Sequence, residues 1–280
     1  MVKINWKKFY KNSSVIDLSN KRISEVNWYG APPGLKDINL QSNMITVFNW
    51  NGAPESLETI HLSHNGITEF NWNGAPPGLK CVHLSSNMIT HLNWENCPSG
   101  LEVIWLVNNN ITEFNWDHAP QSLKTIWLSH NRITKVIWEN VPPGLKTFGV
   151  CYNLITEFNW YHPSRLQHIS LEGNRFLEFN WKGIPRNLIS ICLEGVRVNW
   201  KGAPWYIGLG WKSEHTEAHA KYKLEHPYLD PSKPKKDLVE ELTHVSLLPP
   251  GFSSVPVFKK GGTLFWESYN EMTHLGFIDN

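Results

Sequence analysis

The chain has 280 residues, enough for one or two globular domains or for one continuous repeat array. Its 26 Lys and Arg residues nearly balance its 25 Asp and Glu residues, so it lacks the basic excess that a nucleic-acid partner requires. No apolar stretch approaches the roughly 18 residues of a membrane span, and we therefore expect neither a nucleic-acid partner nor a membrane anchor.

Residues 1–12 form only a partial repeat around Trp6 and are expected to cap the N-terminal end of the chain. Charged residues follow Met1 closely, where a signal peptide would need its apolar run. The four cysteines form no Cys-x-x-Cys pair and are expected to be free thiols in a reducing compartment. We therefore expect a cytoplasmic protein, in the host cytoplasm if the chain is viral or an effector.

A tryptophan recurs every 22 residues through most of the chain. The series consists of Trp6, Trp28, Trp50, Trp72, Trp94, Trp116, Trp138 and Trp160. Trp181 and Trp200 continue it at spacings of 21 and 19 residues. A fixed period of this length is the sequence signature of a repeat protein that stacks identical units.

Between the tryptophans runs the pattern L-x-x-[I/V]-x-L-x-x-N-x-I, for example from Leu57 to Ile67. Ile60 and Leu62 are two residues apart and point to the same side of a short strand. Asn65 follows where the chain must bend, and its amide can satisfy backbone groups of the turn. A single repeat cannot bury its apolar face, so about nine stacked copies over residues 13–200 are expected to share one core.

This pattern resembles the leucine-rich repeat. The segment Pro142-Pro143-Gly144-Leu145 is similar to the Pro-x-x-Leu type of bacterial effectors. The recurring Phe-Asn-Trp segment is similar, more weakly, to the Phe-Asn-Ile-Pro repeats of amoebae and large DNA viruses. The resemblance implies a horseshoe-shaped solenoid with a parallel β-sheet on its concave face.

A proline stands three residues before the strand leucine of most repeats, as Pro54 and Pro76 do. Proline removes a backbone donor and disrupts helix interiors, and nearby glycines weaken helices further. We expect an extended or 3₁₀ convex side with few α-helices. The tryptophans are expected to pack as a buried column along that side, because a periodic apolar stripe usually belongs to the core.

Residues 201–280 lose the period and are expected to form a small α+β cap or domain. His215 and His219 are four residues apart, so on a helix they would share one face and could hold a metal with Glu225 or His244. They lack the zinc-protease arrangement, and we favour a solvated helix face. A metal-dependent activity in this region is kept as an alternative function.

The best candidate site is the concave column between the Ile and Leu positions. It reads Asp17, Asn39, His61, His83, Trp105, Trp127, Gly149, Ser170 and Cys192. Two adjacent exposed tryptophans are costly to leave in water, and aromatic residues dominate interface hot spots. The predicted partner-binding residues are Trp105, Trp127, Val103, Val107, Asn108, His130, Tyr152, His61 and His83. The alternative is that residues 201–280 fold back over the tryptophans.

No nucleophile motif and no set of three metal ligands stands out, so we expect no catalytic residue, no cofactor and no metal. His61 and His83 share one repeat position and could share a cation, but recognition is favoured. The sequence thus predicts a non-enzymatic scaffold, an adaptor or effector, that binds a protein partner as a monomer. A structural or surface-coat repeat protein is the third alternative.

Overall fold

The computed structural model describes residues 2–160, 165–179, 181–199, 201, 203 and 208–209. The strands in this part of the chain are β1 Val2–Lys3, β2 Val15–Asp17, β3 Ile23–Glu25, β4 Asp37–Asn39, β5 Thr59–His61, β6 Cys81–His83, β7 Val103–Trp105, β8 Thr125–Trp127, β9 Thr147–Gly149, β10 His168–Ser170, β11 Ser190–Cys192 and β12 Gly208–Leu209. Ten of them form one parallel sheet in the order β12-β11-β10-β9-β8-β7-β6-β5-β4-β2. The other two, β1 and β3, form a separate parallel pair.

The register of the sheet pairs equivalent residues of successive repeats. Ile60 pairs with Val82, and Val82 pairs with Ile104, so each middle strand residue lies beside its counterpart. These middle residues are fully buried, and the strand residues on either side of them point outward, as the period of two requires. The leucine-rich-repeat solenoid with a parallel sheet on its concave side is therefore confirmed.

The convex side is extended, as the prolines predict. Among the described residues the structure has no α-helix, and its one helical segment is the 3₁₀ turn Trp6–Lys8. The chain bends in each repeat at turns closed by backbone hydrogen bonds between residues three apart, such as Ala53 N to Trp50 O at 2.8 Å and Leu57 N to Pro54 O at 3.0 Å. No helix in the described part of the chain has the length and apolarity to cross a membrane.

The predicted tryptophan column lies buried along this convex side. Trp50 and Trp72 are each 1% exposed, and Phe70 packs edge-on against both at ring-centroid distances of 6.0 and 4.9 Å. The indole Nε1 of Trp50 donates to the backbone carbonyl of Asn71 in the next repeat at 3.0 Å. The column is therefore core, and its first five indoles also connect neighbouring repeats by a hydrogen bond: Trp6, Trp28, Trp50, Trp72 and Trp94.

The asparagine column forms the interior ladder expected from the sequence. Asn87 Nδ2 donates to the carbonyls of Leu62 and Leu84, both at 3.0 Å, and its Oδ1 accepts from Ile67 N at 3.0 Å. The same bonds recur at Asn109, which is 7% exposed. Each amide thus binds turn groups in two adjacent repeats, and its oxygen is the partner of a buried backbone N–H.

The β1–β3 pair at the N-terminal end was not predicted, because the first repeat departs from the consensus in this region. The division at residue 200, the expected α+β cap and the histidine pair His215 and His219 lie outside the described residues, apart from the few positions up to 209. They remain predictions.

Candidate functional site

A continuous stack of four aromatic rings crosses the concave sheet. His61 stacks on His83 at a centroid distance of 4.4 Å, and His83 stacks on Trp105 at 5.8 Å. Trp105 in turn stacks on Trp127 at 5.4 Å, with 24° between the ring planes. The stack follows from the register, because the third residues of β5, β6, β7 and β8 are paired directly. The structure thus brings together the four predicted ring residues.

Gly149 ends the stack on β9. A Cβ atom added at this position would overlap the six-membered ring of Trp127, so the indole lies directly over the Gly149 backbone. Trp127 is consequently only 8% exposed, whereas Trp105 is half-buried. The expectation that both tryptophans are open to solvent was wrong for Trp127. Val107, at 2% exposure, is also buried rather than part of an accessible rim.

Exposure divides the concave face into two parts. Beyond Trp127 the third strand residues Gly149, Ser170 and Cys192 are all buried. Towards the N-terminus the outward-facing strand residues are half-buried or exposed, and we call this set the N-terminal sheet face. It consists of Val15, Asp17, Asp37, Asn39, Thr59, His61, Cys81, His83, Val103 and Trp105. This part of the sheet is the solvent-accessible part of the concave face.

A second pair of stacked rings lies beside the sheet, in the turns that follow β8 and β9. His130 stacks on Tyr152 at 4.6 Å, and the Tyr152 hydroxyl donates to the carboxylate of Glu172. Asn108, His130 and Tyr152 all have φ between 50° and 55°, a left-handed conformation that aligns their side chains in one column. Tyr152 is 40% exposed and Glu172 only 6%. Sequence reasoning found the aromatic residues and missed Glu172.

The two stacked imidazoles are neutral at pH 7. Burial lowers the pKa of His83 to about 3. Burial also lowers the pKa of His61, an effect opposed by Asp37, whose Oδ1 lies 3.5 Å from His61 Nε2. Two adjacent imidazoles in contact disfavour a second positive charge in any case. The stack therefore presents neutral aromatic rings rather than a cationic patch.

The nearby thiol is not arranged for nucleophilic chemistry. Cys81 Sγ lies 3.3 Å from His83 Nε2, the spacing of a cysteine–histidine pair. Burial raises the pKa of Cys81 to about 11 and lowers the pKa of His83. Both shifts oppose transfer of the thiol proton to the imidazole, which would form the reactive thiolate–imidazolium pair. Among the described residues no three His, Cys, Asp or Glu side chains are grouped to hold a metal ion.

Comparisons with known proteins establish the fold. No protein-family description and no curated protein sequence matches the chain. The chain is similar to the LRIM1/APL1C complex, with a TM-score of 0.61 and 15% identity over 70% of this chain and 38% of that chain. It is similar to the APL1 leucine-rich repeat domain, with a TM-score of 0.56 and 17% identity over 72% of this chain and 62% of that chain. The chain has the leucine-rich-repeat fold.

A further similar structure is YopM from Yersinia enterocolitica WA-314, with a TM-score of 0.53 and 21% identity. That similarity covers 67% of this chain and 39% of the other. The chain thus spans less than two thirds of the length of each of these three proteins. The similarity is one of leucine-rich-repeat architecture, and the residues of the site are read from this chain alone.

Proposed function

We propose that this leucine-rich-repeat chain is a non-enzymatic scaffold, an adaptor or effector, that binds a protein partner on its concave face. The observation that carries the proposal is the aromatic stack on the sheet, in which Trp105 is the last ring that remains partly accessible. An indole held rigidly by neighbouring rings loses little conformational entropy on binding, which favours its use as an anchor.

The rest of the N-terminal sheet face supports this interpretation. Val103 lies beside Trp105 on the same strand and adds apolar surface, while Asn39 and Thr59 offer polar edges. Interfaces commonly combine a central aromatic anchor with such a polar surround. His130, Tyr152 and Asn108 extend the surface on one side. Trp127 stacks on Trp105 from the neighbouring strand and holds that ring in place rather than contacting the partner directly.

The proposal also covers the compartment of the chain and its oligomeric state. We place the chain in the cytoplasm, which is supported by four cysteines that are all free thiols. We also take it to act as a monomer on a protein partner rather than on nucleic acid, which is supported by its near-zero formal charge of +1.

The experiment is affinity capture with the wild-type chain beside two single variants. Trp105→Ala removes the accessible ring, and Tyr29→Ala removes an equally aromatic side chain that is 91% exposed outside the sheet. A partner captured by the wild type should bind Trp105→Ala about 2–4 kcal/mol more weakly. It should bind Tyr29→Ala as it binds the wild type. Equal binding of Trp105→Ala by a protein with an unchanged melting temperature would contradict the proposed site.

A further inference from the structure

The N-terminal sheet face carries two acidic residues and no Lys or Arg. Of its ten residues, Asp17 and Asp37 are acidic and none is Lys or Arg. Asp17 is exposed and the Asp37 side chain is 38% exposed, so both carboxylates are accessible. They lie on the neighbouring strands β2 and β4, at the His61 end of the aromatic stack. The accessible surface is therefore apolar and aromatic at one end and negative at the other.

Nothing on this face neutralises the two carboxylates at pH 7. The backbone N–H of Ser19 donates to Asp17 Oδ1 at 2.9 Å and lowers the pKa of that carboxyl, which keeps it ionised. His61 and His83 are neutral, because burial lowers both of their pKa values. Lys21, in the turn that follows β2, also lowers the pKa of Asp17 through its positive charge. It lies outside this face, and no salt bridge joins it to either carboxylate in the described part of the chain, so the negative charge is available to a ligand.

The lysines on the adjacent edge of the sheet are engaged with acids of their own. Glu58 lies 3.0 Å from Lys36 and 2.7 Å from Lys80, and both ammonium groups meet the same carboxylate. Lys124 pairs in the same way with Glu102 at 2.7 Å. These residues directly precede the strands, and their positive and negative charges are paired with one another. The excess of negative charge therefore belongs to the sheet face itself.

We infer that the partner presents a basic segment to this face, in an inference that rests on the proposed function. A Lys or Arg side chain would lie against Asp17 and Asp37, and an apolar side chain would contact Trp105 and Val103. Like charge across an interface is strongly disfavoured, so an acidic segment is selected against at the same surface.

The spacing of the two contacts follows from the strands. Trp105 on β7 lies three strand intervals, or about 14 Å, from the strand of Asp37 and four intervals, or about 19 Å, from the strand of Asp17. An extended segment advances about 3.3–3.6 Å per residue, so the basic and apolar residues would be about four to six positions apart. The recognised pattern is a Lys or Arg followed or preceded, about four to six residues away, by a large apolar residue.

Selection from a phage-displayed library of random twelve-residue peptides on the full-length chain tests this inference. A double variant, Asp17→Asn with Asp37→Asn, removes the charges with minimal disturbance. Asn39 occupies the position of Asp17 in the next repeat and accepts the equivalent bond from Gln41 N at 3.0 Å, so Asn retains the turn. The matched control, Glu95→Gln with Glu139→Gln, makes the same charge change at two exposed residues outside the sheet.

Peptides selected on the wild type should be rich in Lys or Arg placed about four to six residues from a large apolar residue. They should bind the double Asp variant about tenfold more weakly, bind the control within about twofold, and weaken as salt is raised. Peptides that depend on Trp105 but carry no basic excess, or that bind the double Asp variant normally, would overturn the inference and leave the proposed function standing. Peptides that ignore both Trp105→Ala and the Asp substitutions, or no selected peptides at all, would count against both.

Discussion

Replacement of Asn109 by Ala tests how the solenoid satisfies its buried polar groups. Asn109 Nδ2 donates to the carbonyls of Leu84, Leu106 and Val107, and its Oδ1 accepts from Ile89 N at 3.0 Å. The three carbonyls each retain another donor after the substitution, from Asn87, Asn131 and Ser86 N respectively.

Ile89 N is the group that loses its recorded partner, and the backbone of Ile89 lies in the fully buried interior. One buried donor left unsatisfied costs about 1–3 kcal/mol, so we expect the free energy of unfolding to fall by that amount. A much larger fall in the free energy of unfolding would require the three carbonyls to lose all of their hydrogen bonds as well, and each of them keeps one.

Urea unfolding followed by far-UV circular dichroism measures the effect. Asn110→Ala is the matched control, because it removes the same amide one residue away, where the structure records no bond for the side chain and the backbone bond from Asn110 N to Ile89 O at 2.8 Å is kept. We expect the control to lie within about 0.5 kcal/mol of the wild type. Equal unfolding free energies for the two variants would refute the ladder as a source of stability.

Three more predictions follow from the packing and the titrating groups. Gly149→Ala should displace the Trp127 ring and destabilise the fold by about 1–3 kcal/mol, seen as altered near-UV circular dichroism and a lower melting temperature; an unchanged near-UV spectrum would contradict the close approach. The fold should lose stability as the pH falls from 6.5 towards 3, because the unfolded chain protonates His83 at about 6.5 and the folded chain only at about 3. The loss should be smaller in His83→Gln, and identical pH profiles would show that His83 is not the group responsible. Trp50→Phe should cost about 1 kcal/mol or more in urea unfolding through loss of the Nε1 bond to Asn71 O, and no loss would contradict a structural role for that bond.

The sequence predicts the architecture of the repeats in the described part of the chain almost completely, and the reason is their periodicity. Each repeat pairs with its neighbour in register, so a pattern read once at Leu57–Ile67 holds along the stack. The prolines exclude helices from the convex side, and the buried amide of Asn87 follows from its place at the bend. The spacing of apolar, proline and asparagine residues within one repeat is enough to predict the structure wherever all repeats make the same contact.

The site is less predictable, because it depends on departures from the repeat. The burial of Trp127 arises from Gly149 on the next strand, where the missing Cβ lets the ring lie flat against the backbone. Glu172 joins the site through the hydroxyl of Tyr152, a contact between neighbouring repeats that no periodic motif marks. Such contacts are set by one pair of side chains in three dimensions, and hydrophobic spacing does not encode them.

Site-specific photocrosslinking tests the concave-face proposal most directly. A benzoylphenylalanine at Val103 would stand beside Trp105 on the N-terminal sheet face, and one at Asn71 would stand on the exposed convex side. Both variants should retain the melting temperature of the wild type. We expect irradiation to join the captured partner to the chain labelled at position 103 and not to the chain labelled at 71. Crosslinking from 71 alone would contradict it and place the binding surface on the opposite side of the solenoid.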